Sequence, residues 1–77
     1  MQEILENMIK SLVEEKAQVE VTQEVVSDKE IKLNVKVASA DMGRVIGKQG
    51  RVAKAIRTVM KAVSGKEHKK VTIDFVD

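Results

Sequence analysis

Residues 41–56 read DMGRVIGKQGRVAKAI and bring together groups suited to holding an anion. Gly47 and Gly50 bracket Lys48 and Gln49, and Arg44 and Arg51 stand on either side. Val45 and Ile46 precede the glycines, and Val52 and Ile56 follow them. The spacing predicts a short helix, a tight turn and a second helix, with a cation at the tip. Glycine takes φ > 0 freely and lets another backbone approach, so its N–H groups can face a sugar-phosphate chain. The second helix would point its positive N-terminal end at the same place. Lys48 would meet a phosphate as a point charge, whereas Arg44 and Arg51 could also fork onto phosphate or a base edge. Three cations around a bare bend repel one another unless an anion neutralises them. Lys54 continues the rim, and Gln49 can donate to phosphate or sugar. Met42, Val45, Ile46 and Val52 are candidates for an apolar floor under bases. Val45 and Ile46 are adjacent, so on a helix they cannot both point fully inward, and one of them should face the groove.

Other chemistries lack their parts. His68 is the single histidine and there is no cysteine, so no metal site is expected. Ser11, Ser27, Ser39 and Ser64 have no histidine in a triad-like motif. A phosphate-binding P-loop needs four residues between its first glycine and Gly-Lys, followed by Ser or Thr. Here Gly43 and Gly47 enclose three, and Gln49 follows Lys48. No catalytic residue and no cofactor is expected, and the chain reads as a binding protein.

Seventy-seven residues make one domain with a small core, so self-association would help it. With 43% apolar and 34% charged residues the chain is globular, and no apolar run could span a bilayer. The N-terminal MQEILENMIK has no basic region, so it does not read as a signal peptide, and the lack of cysteine suits the cytoplasm. One Phe, with no Trp or Tyr, means that base stacking on aromatics cannot carry nucleic-acid binding. The net charge of +2 hides a split. Residues 1–30 hold three lysines against eight acids, and residues 31–77 hold eleven cations against four acids. The glycine bend lies in the basic part, as a phosphate footprint requires.

The elements that position the bend follow from periodicity. Ile4, Leu5, Met8, Ile9, Leu12 and Val13 make one apolar face of a helix over 2–14. From Ala17 the period becomes two, with Val19, Val21 and Val25 inward. Ser27, Asp28 and Lys29 turn the chain into a second strand with Ile31, Leu33, Val35 and Val37 inward. Asp41 is the expected side-chain N-cap of a short helix over 42–46. The next helix, 50–64, should bury Val52, Ile56, Val59 and Val63 and expose Arg51, Lys54, Arg57 and Lys61. Gly65 should end it in the left-handed conformation. Val71, Ile73 and Phe75 face inward from the last strand. The order is α-β-β-α-α-β, an α+β fold. The crossover over 31–76 makes its strands parallel, the hairpin adds an antiparallel third, and the three helices share one face of this mixed sheet.

The bend and the helix after it resemble the KH domain, whose signature is an apolar pair, a GXXG loop and apolar residues at fixed offsets. Here Val45, Ile46, Gly47, Lys48, Gln49, Gly50, Val52 and Ile56 fill it. The element order is that of the type II KH fold. The whole chain, residues 1–77 as one KH domain, is similar to the small single-KH bacterial RNA-binding proteins often called KhpA, most closely at DMGRVIGKQGRVAKAIRT. The resemblance implies single-stranded RNA held at about four nucleotides by the loop, with single-stranded DNA as a further possibility. It also implies an RNA chaperone or regulator linked to envelope growth and cell shape. Pairing would be as a homodimer or with a larger KH protein of the KhpB/Jag type. In the KH pattern the hairpin loop Ser27 to Glu30 borders the groove, and its acids make it a poor phosphate partner. The rival reading is a dimerising scaffold with little RNA binding of its own.

Overall fold

The central strand of the structure is the one with the cleanest alternation in the sequence. In this computed structural model, which describes residues 2–66 and 68–76, β2 (Glu30–Lys36) buries Ile31, Leu33 and Val35, and Val37 follows them into the core. Strand β1 (Glu20–Ser27) pairs with it antiparallel and β3 (Lys70–Val76) parallel, giving the order β1-β2-β3. The helices are α1 (Gln2–Leu12), α2 (Met42–Ile46) and α3 (Arg51–Gly65), so the order is α-β-β-α-α-β. Glu67 and Asp77, two acids of the charge split, lie outside the described residues. Among the described residues no helix is long and apolar enough to cross a membrane.

One core joins all three helices to the inner face of the sheet. Leu5 and Ile9 of α1, Val45 of α2, and Ile56 and Met60 of α3 meet Val21, Leu33, Val35 and Ile73. Each large aliphatic side chain buried there contributes about 1.5–3 kcal/mol. The opposite face is polar, and Lys32 and Asp74 pair across it at 3.1 Å.

Three expectations shift. Val25 has the inward parity of Val21 but is 72% exposed. Helix cover over the outer strand ends near Val21, whose carbonyl accepts a hydrogen bond from Gln2 Nε2. Beyond it the register slips between Val25 and Ser27, leaving Val25 and Val26 on the surface.

The buried stripe of α3 is Ala53, Ile56, Met60 and Ser64, rotated from the expected Val52–Ile56–Val59–Val63 row. Val52 and Val63 are half-buried flanks, and Val59 is 46% exposed. Ala53 and Ser64 are small enough to let the helix sit close to the sheet. Ser64 can be buried because its hydroxyl donates to Lys61 O at 3.1 Å. The basic stripe divides as well. Arg57 turns to the edge strand, donating Nε and Nη2 to Ile73 O at 3.3 and 3.2 Å. Its guanidinium lies 5.4 Å from the Phe75 ring centre. Arg51, Lys54 and Lys61 remain on the exposed face.

Gly65 is not left-handed. The helix continues through it, Lys66 stays right-handed at φ −67°, and the positive φ of 57° falls on His68.

Candidate nucleic-acid interface

Asp41 sets the position of the bend by a bond the sequence did not reveal. No side-chain cap joins Asp41 to α2. Its carboxylate, 2% exposed as a residue, instead accepts the N–H of Glu14 at 3.2 Å and of Glu15 at 3.0 Å. The segment after α1 is thereby tied to the start of α2. The Glu15 N–H bond, against the cost of burial, holds the Asp41 carboxyl below its ordinary value, with help from Glu14 N–H, Arg44 and Lys16. A carboxylate with a depressed folded pKa contributes stability above the unfolded value near 3.8, and that stability is lost as pH falls through the folded pKa. Asp41→Asn puts an amide donor against a backbone donor. We expect it to lower the melting temperature at pH 7, with the gap to wild type closing below about pH 4 in thermal denaturation across pH.

Helix α2 anchors on Val45, which is fully buried, while Ile46, Met42 and Val52 are half-buried beside it. Of the adjacent pair, Ile46 is therefore the one near the surface, and Val45 stands behind the site as core. Gly47 N–H closes α2 on Gly43 O at 2.8 Å. The chain then turns through Gly47 (φ 73°, ψ 175°), Gln49 (φ 57°) and Gly50 (φ 73°) before α3 begins. Gly47 lies in a region that only glycine occupies without strain. A Cβ there would stand 2.5 Å from Val52 Cγ2 and 2.9 Å from Val52 N, so it is also a point of close approach. Within the bend Gly50 N–H donates to Gly47 O, and the N–H groups of Lys48 and Gln49 have no backbone partner among the described residues.

Lys48, Gln49, Arg51 and Lys54 are exposed, and no acid pairs with Lys48, Arg51 or Lys54 among the described residues. No side chain caps the N-terminus of α3, which opens directly behind them. Arg44 differs. Its Nη2 lies 3.0 Å from Glu14 Oε1 and its Nε 3.4 Å from Asp41 Oδ1, though half its side chain is exposed. A carboxylate from the acidic N-terminal segment thus competes for one of the flanking cations. The hairpin turn does not approach the bend. Lys70 N–H donates to Lys29 O at 2.7 Å, which puts the turn at the start of β2 and β3, the end of the sheet opposite α2. His68 is exposed before β3, and no group of three metal-binding side chains comes together among the described residues.

The family model described as the KhpA/KhpB KH domain matches residues 2–75. The chain belongs to this family. Its relatives include the RNA-binding protein KhpA of Clostridium acetobutylicum, 51% identical over 99% of this chain and 100% of that one. The RNA-binding protein KhpA of Listeria monocytogenes is 42% identical over the full length of both chains. That of Aquifex aeolicus is 38% identical over 100% of this chain and 96% of its own. No solved structure gave a significant match. The KhpA/KhpB match reaches all six helices and strands, including residues 2–30 where only periodicity spoke for the fold, and the family is not one of enzymes. What sequence reading missed was Asp41 as a tie between α1 and α2. A lone carboxylate before a short helix reads as a cap, and only the fold brings the N–H groups of Glu14 and Glu15 to it.

Proposed function

We propose that the chain binds single-stranded RNA at the Gly47–Gly50 bend, with Lys48, Arg51 and Lys54 on phosphates. Gln49 and the free N–H groups of the tip bond the backbone, and Ile46 and Val52 lie under bases. Gly47 and Gly50 shape the loop, Val45 supports it from the core, and Arg44 joins to the extent that it leaves Glu14. The observation that carries this reading is a set of exposed cations without ion-pair partners among the described residues, at a bend whose Lys48 and Gln49 N–H groups have no backbone partner there and whose following helix has no side-chain cap. The names of the relatives, RNA-binding protein KhpA, support RNA as the ligand. The only aromatic residue, Phe75, is half-buried under Arg57, so no stacking platform is available and sequence preference is low.

With about three to five phosphates engaged, log K should fall with log salt at a slope of about −2 to −3.5, measured by gel shift from low to physiological salt. A flat salt response would remove phosphate contact as the basis of binding. Competition between RNA and single-stranded DNA of one sequence distinguishes the two ligands.

In the cell the domain would act in the cytoplasm as an RNA chaperone or post-transcriptional regulator. Pairing supports this role, because two weak sites acting together gain effective concentration. Met8 and Leu12 of α1 and Val52, Ala55 and Val59 of α3 line an open apolar hollow, a surface on which a second copy or a KhpB-type KH domain could seat. The same hollow supports the second reading, a scaffold whose work is dimerisation. Loss of RNA binding with the oligomer intact, on changing the bend, separates the two.

A further inference from the structure

The end of α3 remote from the bend carries a second basic hollow. Lys61 of α3 and His68, Lys69 and Lys70 leading into β3 line a concavity of about 490 Å³, with Gly65 at its rim. None of these lysines forms an ion pair among the described residues, and Glu30, beside Lys70 in the strand register, makes none with it. A helix C-terminus ordinarily repels anions. Here Ser64 O accepts the N–H of Lys69 and Gly65 O that of His68, both at 3.2 Å, so these terminal carbonyls are occupied. The left-handed His68 turns the chain so that Lys69 and Lys70 follow at once.

The hollow and the bend lie at opposite ends of α3. Lys54 and Lys61 are seven residues apart and share a face within about 20°, separated by about 10.5 Å of helix. Arg51 is one turn before Lys54. With Arg57 turned away to Ile73 and Phe75, the exposed cations of α3 form one file from the bend to the hollow.

We propose that this hollow is a second phosphate site, which takes the backbone of the same RNA strand beyond the nucleotides held at the bend. It rests on the RNA-binding reading above and extends it. The bend accounts for about four nucleotides. Lys61 lies about 15 Å of helix past Arg51, so a longer strand is needed to reach it.

The test compares mixed-sequence oligoribonucleotides of about four and about ten residues by fluorescence anisotropy, within the range single-strand sites span. In Lys61→Gln/Lys69→Gln/Lys70→Gln the ten-residue strand should bind about tenfold more weakly, with its salt slope reduced by about 2, while the four-residue strand is unchanged. All three side chains are exposed, and thermal denaturation should show the fold retained. An unchanged affinity and slope for the longer strand would overturn the second site while leaving the bend in place. An equal fall for both lengths would also overturn it, by showing only a diffuse positive field. Failure of the wild-type protein to bind either strand would remove the bend reading and this extension together.

Discussion

Replacing Lys48 and Gln49 together with Asp should abolish RNA retention and leave the fold, and any oligomer the chain forms, unchanged. The expectation follows from where the two residues stand. Both are exposed at the tip of the bend, and neither side chain has a hydrogen-bond or ion-pair partner among the described residues. Asp also tolerates the left-handed conformation that Gln49 holds at φ 57°, so the bend keeps its path. Electrostatically the tip changes from one positive charge to two negative ones, in front of N–H groups that would otherwise meet phosphate. We expect a loss of about a hundredfold or more in affinity for a mixed RNA pool, read by filter binding. Unchanged binding would remove the nucleic-acid reading, and joint loss of oligomer and RNA would favour the scaffold.

Gly47→Ala should be the most damaging Gly→Ala change in the chain. Its backbone, at φ 73° and ψ 175°, is strained for any other residue, and its Cβ would meet Val52 Cγ2 at 2.5 Å and Val52 N at 2.9 Å. The backbone of α3 cannot yield without moving the helix, so strain and overpacking add to about 3 kcal/mol. For a domain of this size that is about 12–24 °C in melting temperature. Gly50→Ala is the control. It too has φ 73°, but nothing stands within 4 Å of its Cβ. It should cost about 1 kcal/mol, or about 5 °C. Equal losses at the two positions in thermal denaturation would show that close packing on Val52 is not what Gly47 provides.

Much of this was legible because the signals were local. The alternation of Ile31, Leu33, Val35 and Val37 dictates the central strand, and both glycines of the bend take the positive φ that their spacing predicts. Errors arose where packing outranks hydrophobicity. Val52, Val59 and Val63 looked more buried than Ala53 and Ser64, yet a helix lying close on a sheet needs small residues at the contact. Gly65 looked like the terminator of α3, but the capping bonds of Lys69 and His68 place the left-handed residue three positions later. The charge reading was incomplete for a similar reason. Arg44 and Arg57 count as basic in the sequence, and only the fold shows one held by Glu14 and Asp41 and the other by Ile73 and Phe75. Lys48, Arg51 and Lys54 have no such partners among the described residues.

The most direct test follows the backbone amides while a single-stranded RNA of about four nucleotides is titrated into the protein. The resonances of Gly47 to Val52 should move first and furthest, with Lys48 and Gln49 leading, and the shifts should shrink as salt is raised. If those amides stay still while RNA binds elsewhere, or no amide moves at all, the bend is not the grip.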